Sequence, residues 1–568
     1  MMSVRHVCRS AFAAVALLML APAASATPAY DTIVRNGHII DGTGSPWYAA
    51  DVAIKDGRIA AIGHFAPGQA TNVIDAHGMV VAPGFIDMLG QSETSILVDP
   101  RLPSKVFQGI TTEITGEGES VAPLNAAIIE QRQPGYDHFH IHPDWRNFQE
   151  YFARLRKQGM GINLGTYVGA ASVREMVIGY GDRAPTPAEL RQMQGLVEDA
   201  MRQGAFGLST ALQYPPATYA QTPELVALAQ SAARHGGIYA THMRSEGNAE
   251  IAALDETFRI GREAGIGVEI FHLKVSGKPN WGTMPKVVAR IEAARASGID
   301  VAADAYPYTA WQNNFSSFIP PWAHDGGDSK LLERLKDPAT RARIRKDMQT
   351  PSDAWDNTWL AINGPQDILI SSVSNPELQK YVGQRVSSIA AEWHTDPLDT
   401  VFDFLVRDHA ATDVVVFGMQ DADVDLALRQ PWVSFDTDYH GTAPDGLLGR
   451  DHSHPRAYGT FPRILARYVR ERKLLTLPDA IRKFTALPAQ RMGLADRGVL
   501  KRGMWADLVV FDPDTVHDVA TYEDPNRLAM GMRYVLVNGV PVIAGGQLTG
   551  ALPGQVLLGP GYAGAGHR

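Results

Sequence analysis

Two histidines and an aspartate stand where a chain of alternating strands and helices puts its chemistry. His242 closes the apolar run IYATH, His272 closes VEIFH, and Asp438 ends VSFDTD. In a parallel barrel the strand C-termini and the loops after them form the active face. Two imidazoles and a carboxylate converging there from different strands would make a site for a divalent metal and its general base: the ion polarises a carbonyl and acidifies a water, and the carboxylate moves the proton. Taken singly each residue is a poor pointer, because a lone histidine at a strand end is more often structural. Cysteine chemistry is excluded on a different ground. The one cysteine, Cys8, falls within a segment expected to be removed, so metal ligation must rest on His, Asp and Glu, with no disulfide and no thiol nucleophile.

That removable segment is the start of the chain. Arg5 and Arg9 precede an apolar stretch from Ala11 to Leu20, and Ala24-Ser25-Ala26 offers small residues for cleavage, so residues 1–26 read as an export signal. The apolar run is shorter than the roughly 20 residues that span a bilayer, and the expectation is a periplasmic or secreted protein cleaved near Ala26, without stable membrane insertion. With 45% apolar and 20% charged residues over 568 positions, composition is that of an ordinary globular chain. A formal charge of −9, with Lys and Arg scattered singly, provides no basic stripe and excludes nucleic acid as the expected partner.

The elements that must position the three residues follow from periodicity. Thr186-Pro187-Ala188-Glu189 supplies an N-cap, a proline at the first helical position and a reciprocal carboxylate, followed by Leu190, Met193, Leu196, Val197, Ala200 and Met201 on one face and closed by Gly204. A strand AFGLSTA comes next, then a helix opened by Thr222-Pro223, then IYATH, and the unit repeats through GVEIFH, IDVAADAYPY, DVVVFG and WVSFDTD. Alternation of this length predicts a (β/α)₈ TIM-like barrel. Residues 27–82 and 493–568 share a different texture of short β runs and Asp-Gly turns, as in DVAIKDGRIAAIG and MRYVLVNGVPVIAGG. They predict a small β-sandwich domain built from both chain ends around a catalytic barrel at 83–492. Within the barrel, residues 311–395 break the rhythm and read as an inserted domain or lid.

Six segments in order carry a resemblance: GAFGLSTALQYPP, GGIYATHMRSEG, FHLKVSGK, DAYPYTA, HPRAYGTFPRIL and DPNRLAMGMRYVLVNG. Together with VRNGHIIDGTG and PGFID they make the chain similar to the N-acyl-D-amino-acid deacylases (D-aminoacylases) of the amidohydrolase superfamily, over nearly its whole length. The resemblance implies a metal-dependent hydrolase fold, zinc, and hydrolysis of a linear amide. It places His242 and His272 as the two histidine ligands of a tightly held zinc and Asp438 as the catalytic aspartate. It also places Lys274 and Tyr306 on the substrate's α-carboxylate, while Arg244 is a further cation near the mouth, with an ion pair to Glu246 as its alternative role.

The chain departs from the family in two places. Where the family has His-x-His after PGFID, this chain has Leu89-Gly90-Gln91. Leucine cannot bind a metal and an amide oxygen is a poor zinc ligand, so the outer metal site is expected to be absent or very weak, leaving one zinc per chain. Where the family has a cysteine ligand, alignment on Val121-Ala122-Pro123-Leu124 puts Glu117, while alignment on Thr111-Thr112 puts Gly118. Glu117 is the expected third ligand, with Glu119 and Glu113 as competitors. The expected partner is a small amide with a free carboxylate. A different carboxylate-bearing amide, dipeptide or lactam, or an exported binding protein without catalysis, are the other readings. The alternating His138, His140 and His142 sit between Pro134-Gly135 and Pro143 and read as a surface loop, and His454 as a locally bonded residue.

Overall fold

The structure, a computed structural model, describes residues 28–562 and 564. The expected export signal and Cys8 lie outside the described residues. No helix among the described residues is long and apolar enough to cross a membrane.

The centre holds parallel strands in two hydrogen-bonded runs. One comprises Phe85–Asp87, Ile110–Thr115 and Asn163–Thr166. The other runs, from its far edge, Val433–Phe435, Val301–Ala305, Val268–Ile270, Ile238–His242, Gly207–Ala211 and Val168–Gly169. Only Tyr167 separates Asn163–Thr166 from Val168–Gly169, and the Phe206 N–H donates to Thr166 O at 2.9 Å across the junction. At the other end the Met88 N–H donates to Phe435 O at 3.3 Å, so the strand order returns to its start. Most of these strands are buried on both faces, which is why they read as near-continuous apolar runs rather than as alternating ones.

The helix Pro187–Gln203 forms as its ends dictate. The Thr186 side chain accepts from Glu189 N, the Glu189 carboxylate accepts from Thr186 N at 2.7 Å, and Gly204 takes φ 112° to end the helix. Met193, Val197, Ala200 and Met201 are buried along the predicted face, with Leu190 and Leu196 packed at its margin.

Both chain ends meet in one nine-stranded sheet, continuous by hydrogen bonding. The junction is Val80–Pro83 paired antiparallel with Leu508–Phe511. Alternation assigns the faces: Val81, Leu508 and Val510 join an apolar cluster with Val34, Val52 and Ile54, while Val80, Val509 and Phe511 face the main core. The tail does not stay with this domain. Gly554 N donates to Met160 O and Gly559 N to Gly204 O, laying residues 553–560 along the central strands.

Trp311–Asn314 and Ile368–Ser372 both pair antiparallel with Asp413–Val416, forming a separate three-stranded sheet. DVVVFG, expected as a barrel strand, is therefore the middle strand of this separate sheet. Val414 and Val416 enter the main core and Val415 a second cluster with Ala310 and Leu369. A short strand buried on both faces has the same pattern in either place. The structure also carries helix Ala126–His138 straight through Pro134 and Gly135, where a loop was expected. The Asn125 side chain caps it by accepting from Ile128 N.

Candidate metal centre and cavity

Glu117, His242 and His272 come together from three different strands or the loops after them. Glu117 Oε1 is 3.0 Å from His242 Nδ1 and 2.9 Å from His272 Nε2, and the three donor atoms lie within 4.8 Å of one another. Among the described residues this is the one such group of three or more potential ligands. The two competitors for the third position are engaged elsewhere. Glu119 pairs with Arg132 at 3.1 Å, and Glu113 lies beneath the floor against Lys105 Nζ at 3.0 Å. Burial pushes the Glu117 carboxyl up, but hydrogen bonds to the two histidines outweigh it and hold the group well below the usual carboxylate range. An anionic carboxylate with two imidazoles, buried together, is a donor set that fits a zinc ion with one position left open.

Each histidine is fixed from behind. His272 Nδ1 lies 2.6 Å from Lys274 Nζ and 3.0 Å from Glu246 Oε1, and His242 Nε2 lies 2.9 Å from Gln213 Oε1. Such partners hold ring orientation at metal sites. Burial raises the Glu246 carboxyl, yet Lys274 and the two histidines bring it far below its ordinary value.

Asp438 stands on the opposite wall. Its Oδ1 accepts from Gln91 Nε2 at 3.1 Å, and its Oδ2 lies 2.6 Å from Arg456 Nη1. Burial raises its carboxyl above the ordinary value, with Arg456 opposing the rise. The same Gln91 nitrogen donates to Glu117 Oε2 at 2.7 Å, so one side-chain amide bridges the two carboxylates. His272 at φ 38° and Asp438 at φ 45° both occupy the left-handed region, which non-glycine residues rarely adopt and which clusters at functional sites.

These groups line a cavity of about 640 Å³, large enough for a small organic substrate. Its outer walls are Tyr214, Trp311, Gln312, Asn313 and Asn314, with Asn357 and Leu360. Lys274 lines it, with two neighbours accounting for two of its three N–H donors. Tyr306 does not reach the wall. It is buried behind it, its ring under Arg456 Cζ at 4.7 Å and Lys274 Nζ at 5.6 Å and its hydroxyl toward Met419 Sδ at 3.8 Å. Arg244 faces away from the cavity and pairs with Glu256, not Glu246. Two further donors go to the Thr218 and Ala220 carbonyls, so four of its five N–H groups are engaged away from the cavity. His454 was expected to bond locally; its Nδ1 does accept from Arg456 N, but its Nε2 lies 3.0 Å from the distant Ala310 O.

Sequence reasoning passed over Arg456, Glu246 and Gln213. Arg456 was within the quoted segment HPRAYGTFPRIL, and a guanidinium amid small and aromatic residues was the available signal. Glu246 had only its spacing of four from His242, and nothing in the sequence marked Gln213.

Comparison with known proteins gives a family match and long relatives. The family model described as "Amidohydrolase family" matches residues 72–543, and the N-terminal domain model of the urease α-subunit matches residues 17–85. The chain is 37% identical to a D-aminoacylase of Alcaligenes xylosoxydans xylosoxydans, covering 93% of this chain and 97% of the relative. It is 36% identical to an N-acyl-D-glutamate deacylase of the same organism, covering 90% and 93%. A crystal structure of N-acyl-D-glutamate deacylase from Bordetella bronchiseptica, complexed with zinc and a phosphonate mimic of the tetrahedral intermediate, superposes with a TM-score of 0.77 at 34% identity over 93% of this chain and 99% of that one. A D-aminoacylase structure described in terms of a binuclear metal centre, with one-metal activation and second-metal attenuation, also gives 0.77, at 36% identity over 93% and 100%.

Proposed function

The chain belongs to the amidohydrolase family, in the group of D-aminoacylases and N-acyl-D-glutamate deacylases, and on that premise we propose that it hydrolyses the amide bond of an N-acyl amino acid of the D series, using one zinc ion. The observation that carries this reading is the convergence of Glu117, His242 and His272 on one point at the floor of the cavity, with Asp438 facing them. We read the returning strand order as a closed (β/α)₈ barrel, with the four residues at its C-terminal mouth.

Glu117, His242 and His272 would hold the ion. Bound there, zinc would polarise the substrate carbonyl and favour loss of a proton from water. The chain's residues do the rest. Asp438 accepts the proton of the attacking water and passes it to the amide nitrogen as the C–N bond breaks, giving a carboxylic acid and a free amine. Arg456 keeps that carboxylate charged against burial. Lys274 presents its remaining N–H to the substrate carboxylate, and Tyr306 supports it from behind through its ring face. Residues 1–26, read as an export signal, would place this activity in the periplasm or outside the cell.

The test is metal content per chain together with amine release from matched N-acyl-D- and N-acyl-L-amino acids. About one zinc with D-selective release supports the reading. One zinc without release from either series turns the search to other amides, and protein that binds no zinc removes the mechanism.

A further inference from the structure

The Gln91 side chain sits at a junction of charge that the proposed mechanism does not use. It follows the strand Phe85–Asp87, and its own N–H donates to Tyr439 O at 3.3 Å while Leu89 O accepts from Asp438 N at 3.0 Å. The loop bearing Gln91 is thereby registered against the loop bearing Asp438. Its Nε2 donates to Glu117 Oε2 at 2.7 Å and to Asp438 Oδ1 at 3.1 Å. An amide nitrogen carries two N–H bonds, and both are used here, one on each carboxylate.

The oxygens are apportioned without remainder. Glu117 Oε1 belongs to the two histidines and Oε2 to Gln91, while Asp438 Oδ2 faces Arg456 and Oδ1 belongs to Gln91. A second cation between the two carboxylates would have to displace the amide. Leu89, two residues before Gln91, offers no compensating ligand: its side chain is fully buried among Ile86, Ile114 and Tyr167 and has no donor atom.

We infer that the Gln91 carboxamide stands in for a second metal ion, bridging Glu117 and Asp438 as a neutral donor, so that it positions the base and restricts the centre to one divalent cation. This rests on the single-zinc hydrolase reading. The D-aminoacylase relative is described as activated by one metal and attenuated by a second. In this chain the gap between the Glu117 and Asp438 carboxylates is filled by a side chain, so excess zinc finds no free carboxylate pair there.

The experiment measures zinc stoichiometry by elemental analysis and by titration calorimetry on three forms of the exported chain: wild type, Gln91→Glu and Gln91→Ala. Gln91→Glu keeps the shape but replaces a donor with a third carboxylate. The expected result is one zinc in the wild type at any excess and two in Gln91→Glu. Gln91→Ala keeps one tight zinc and loses between about tenfold and a hundredfold in kcat with KM little changed, because Asp438 is no longer aligned. A second tight zinc in the wild type overturns the proposal. So does Gln91→Glu remaining at one zinc while Gln91→Ala keeps full kcat. The stoichiometry arm needs no substrate: one zinc in wild type and two in Gln91→Glu, without hydrolysis of any N-acyl amino acid, supports this inference while failing the deacylase reading.

Discussion

Arg456→Met tests whether Asp438 is the base and whether its charge is maintained by one cation. Arg456 is 2% exposed, Asp438 is 6% exposed, and Nη1 approaches Oδ2 to 2.6 Å. Methionine keeps much of the volume and removes the charge. Breaking a buried ion pair by deleting one partner costs about 3–5 kcal/mol when the other charge must stay. Asp438 has an escape, since it can take up a proton, so the cost emerges mainly as a pKa change. At 1.36 kcal/mol per unit, the lower figure corresponds to a rise of about two units. The direction follows from the physical causes already acting: burial raises this carboxyl and Arg456 opposes it, so removing Arg456 raises it further. A base must be ionised to accept a proton, so the acid limb of the kcat/KM profile moves to higher pH by about two units. Activity at neutral pH falls, and raising the pH recovers part of it. The assay is kcat/KM over a wide pH range, with zinc content measured on the same samples. An acid limb that stays in place, with full zinc and full activity, refutes the coupling and removes Asp438 as the ionising base. A loss equal at every pH assigns Arg456 to substrate binding instead.

Asp438→Asn removes the proton acceptor but none of the three converging ligands. It should abolish turnover while zinc content, measured by elemental analysis, stays at the wild-type value. Glu117→Ala removes the one anionic ligand and the acceptor of both imidazole contacts. Zinc affinity measured by competition with a chelator should fall by a hundredfold or more, on the order of 3 kcal/mol, the scale on which loss of a charged, buried partner is felt. Selectivity among side chains should follow cavity charge. The two lysine or arginine side chains among the described lining residues, Lys274 and Arg456, are already paired with Glu246 and Asp438, and Glu119, Asp328, Asp356 and Asp413 also line the space. N-acyl-D-amino acids with neutral side chains should therefore exceed the aspartate and glutamate derivatives in kcat/KM by at least about tenfold, since an uncompensated carboxylate in such a site costs more than 1.4 kcal/mol. Equal rates across the series would show a cation that the cavity wall does not present.

What was legible in the sequence was whatever depends on local pattern or on a strand end. His242, His272 and Asp438 stood out because each terminates an apolar run, and all three line one cavity. The helix Pro187–Gln203 was legible to its last turn because its cap, first-turn proline and closing glycine are local chemistry. Pairing was not legible. Asp413–Val416 has the composition of a barrel strand, and only its antiparallel partners, some 45 and 100 residues away in the chain, show otherwise. The same holds for side chains that act through distant partners. Arg456 meets Asp438 across a loop, and Gln91 meets Glu117 and Asp438 from a different strand. A sequence can say that Gln91 is a poor ligand, but not that its amide nitrogen faces two carboxylates.

The strained backbone at Asp438 shows how far the site depends on residues that never touch the cavity. A non-glycine residue at φ 45° costs roughly 1–3 kcal/mol and persists only where its surroundings over-determine it. Here the restraint comes from both sides. Thr437 N donates to Asp87 Oδ1 at 2.9 Å and its hydroxyl to Asp87 Oδ2 at 2.7 Å, which fixes the residue before. Lys105 Nζ, fully buried, donates to the Tyr439 carbonyl at 2.8 Å and so fixes the residue after, while its other contacts are Asp87, Glu113 and Thr437. An ammonium out of water is tolerable only because two carboxylates face it: burial lowers its pKa, but Asp87 and Glu113 more than restore it. The aspartate that ends PGFID thus acts through the backbone of the opposite wall. It joins the first central strand to the last and holds Asp438 in a conformation the residue would not choose, with the carboxylate turned toward Gln91 and Arg456.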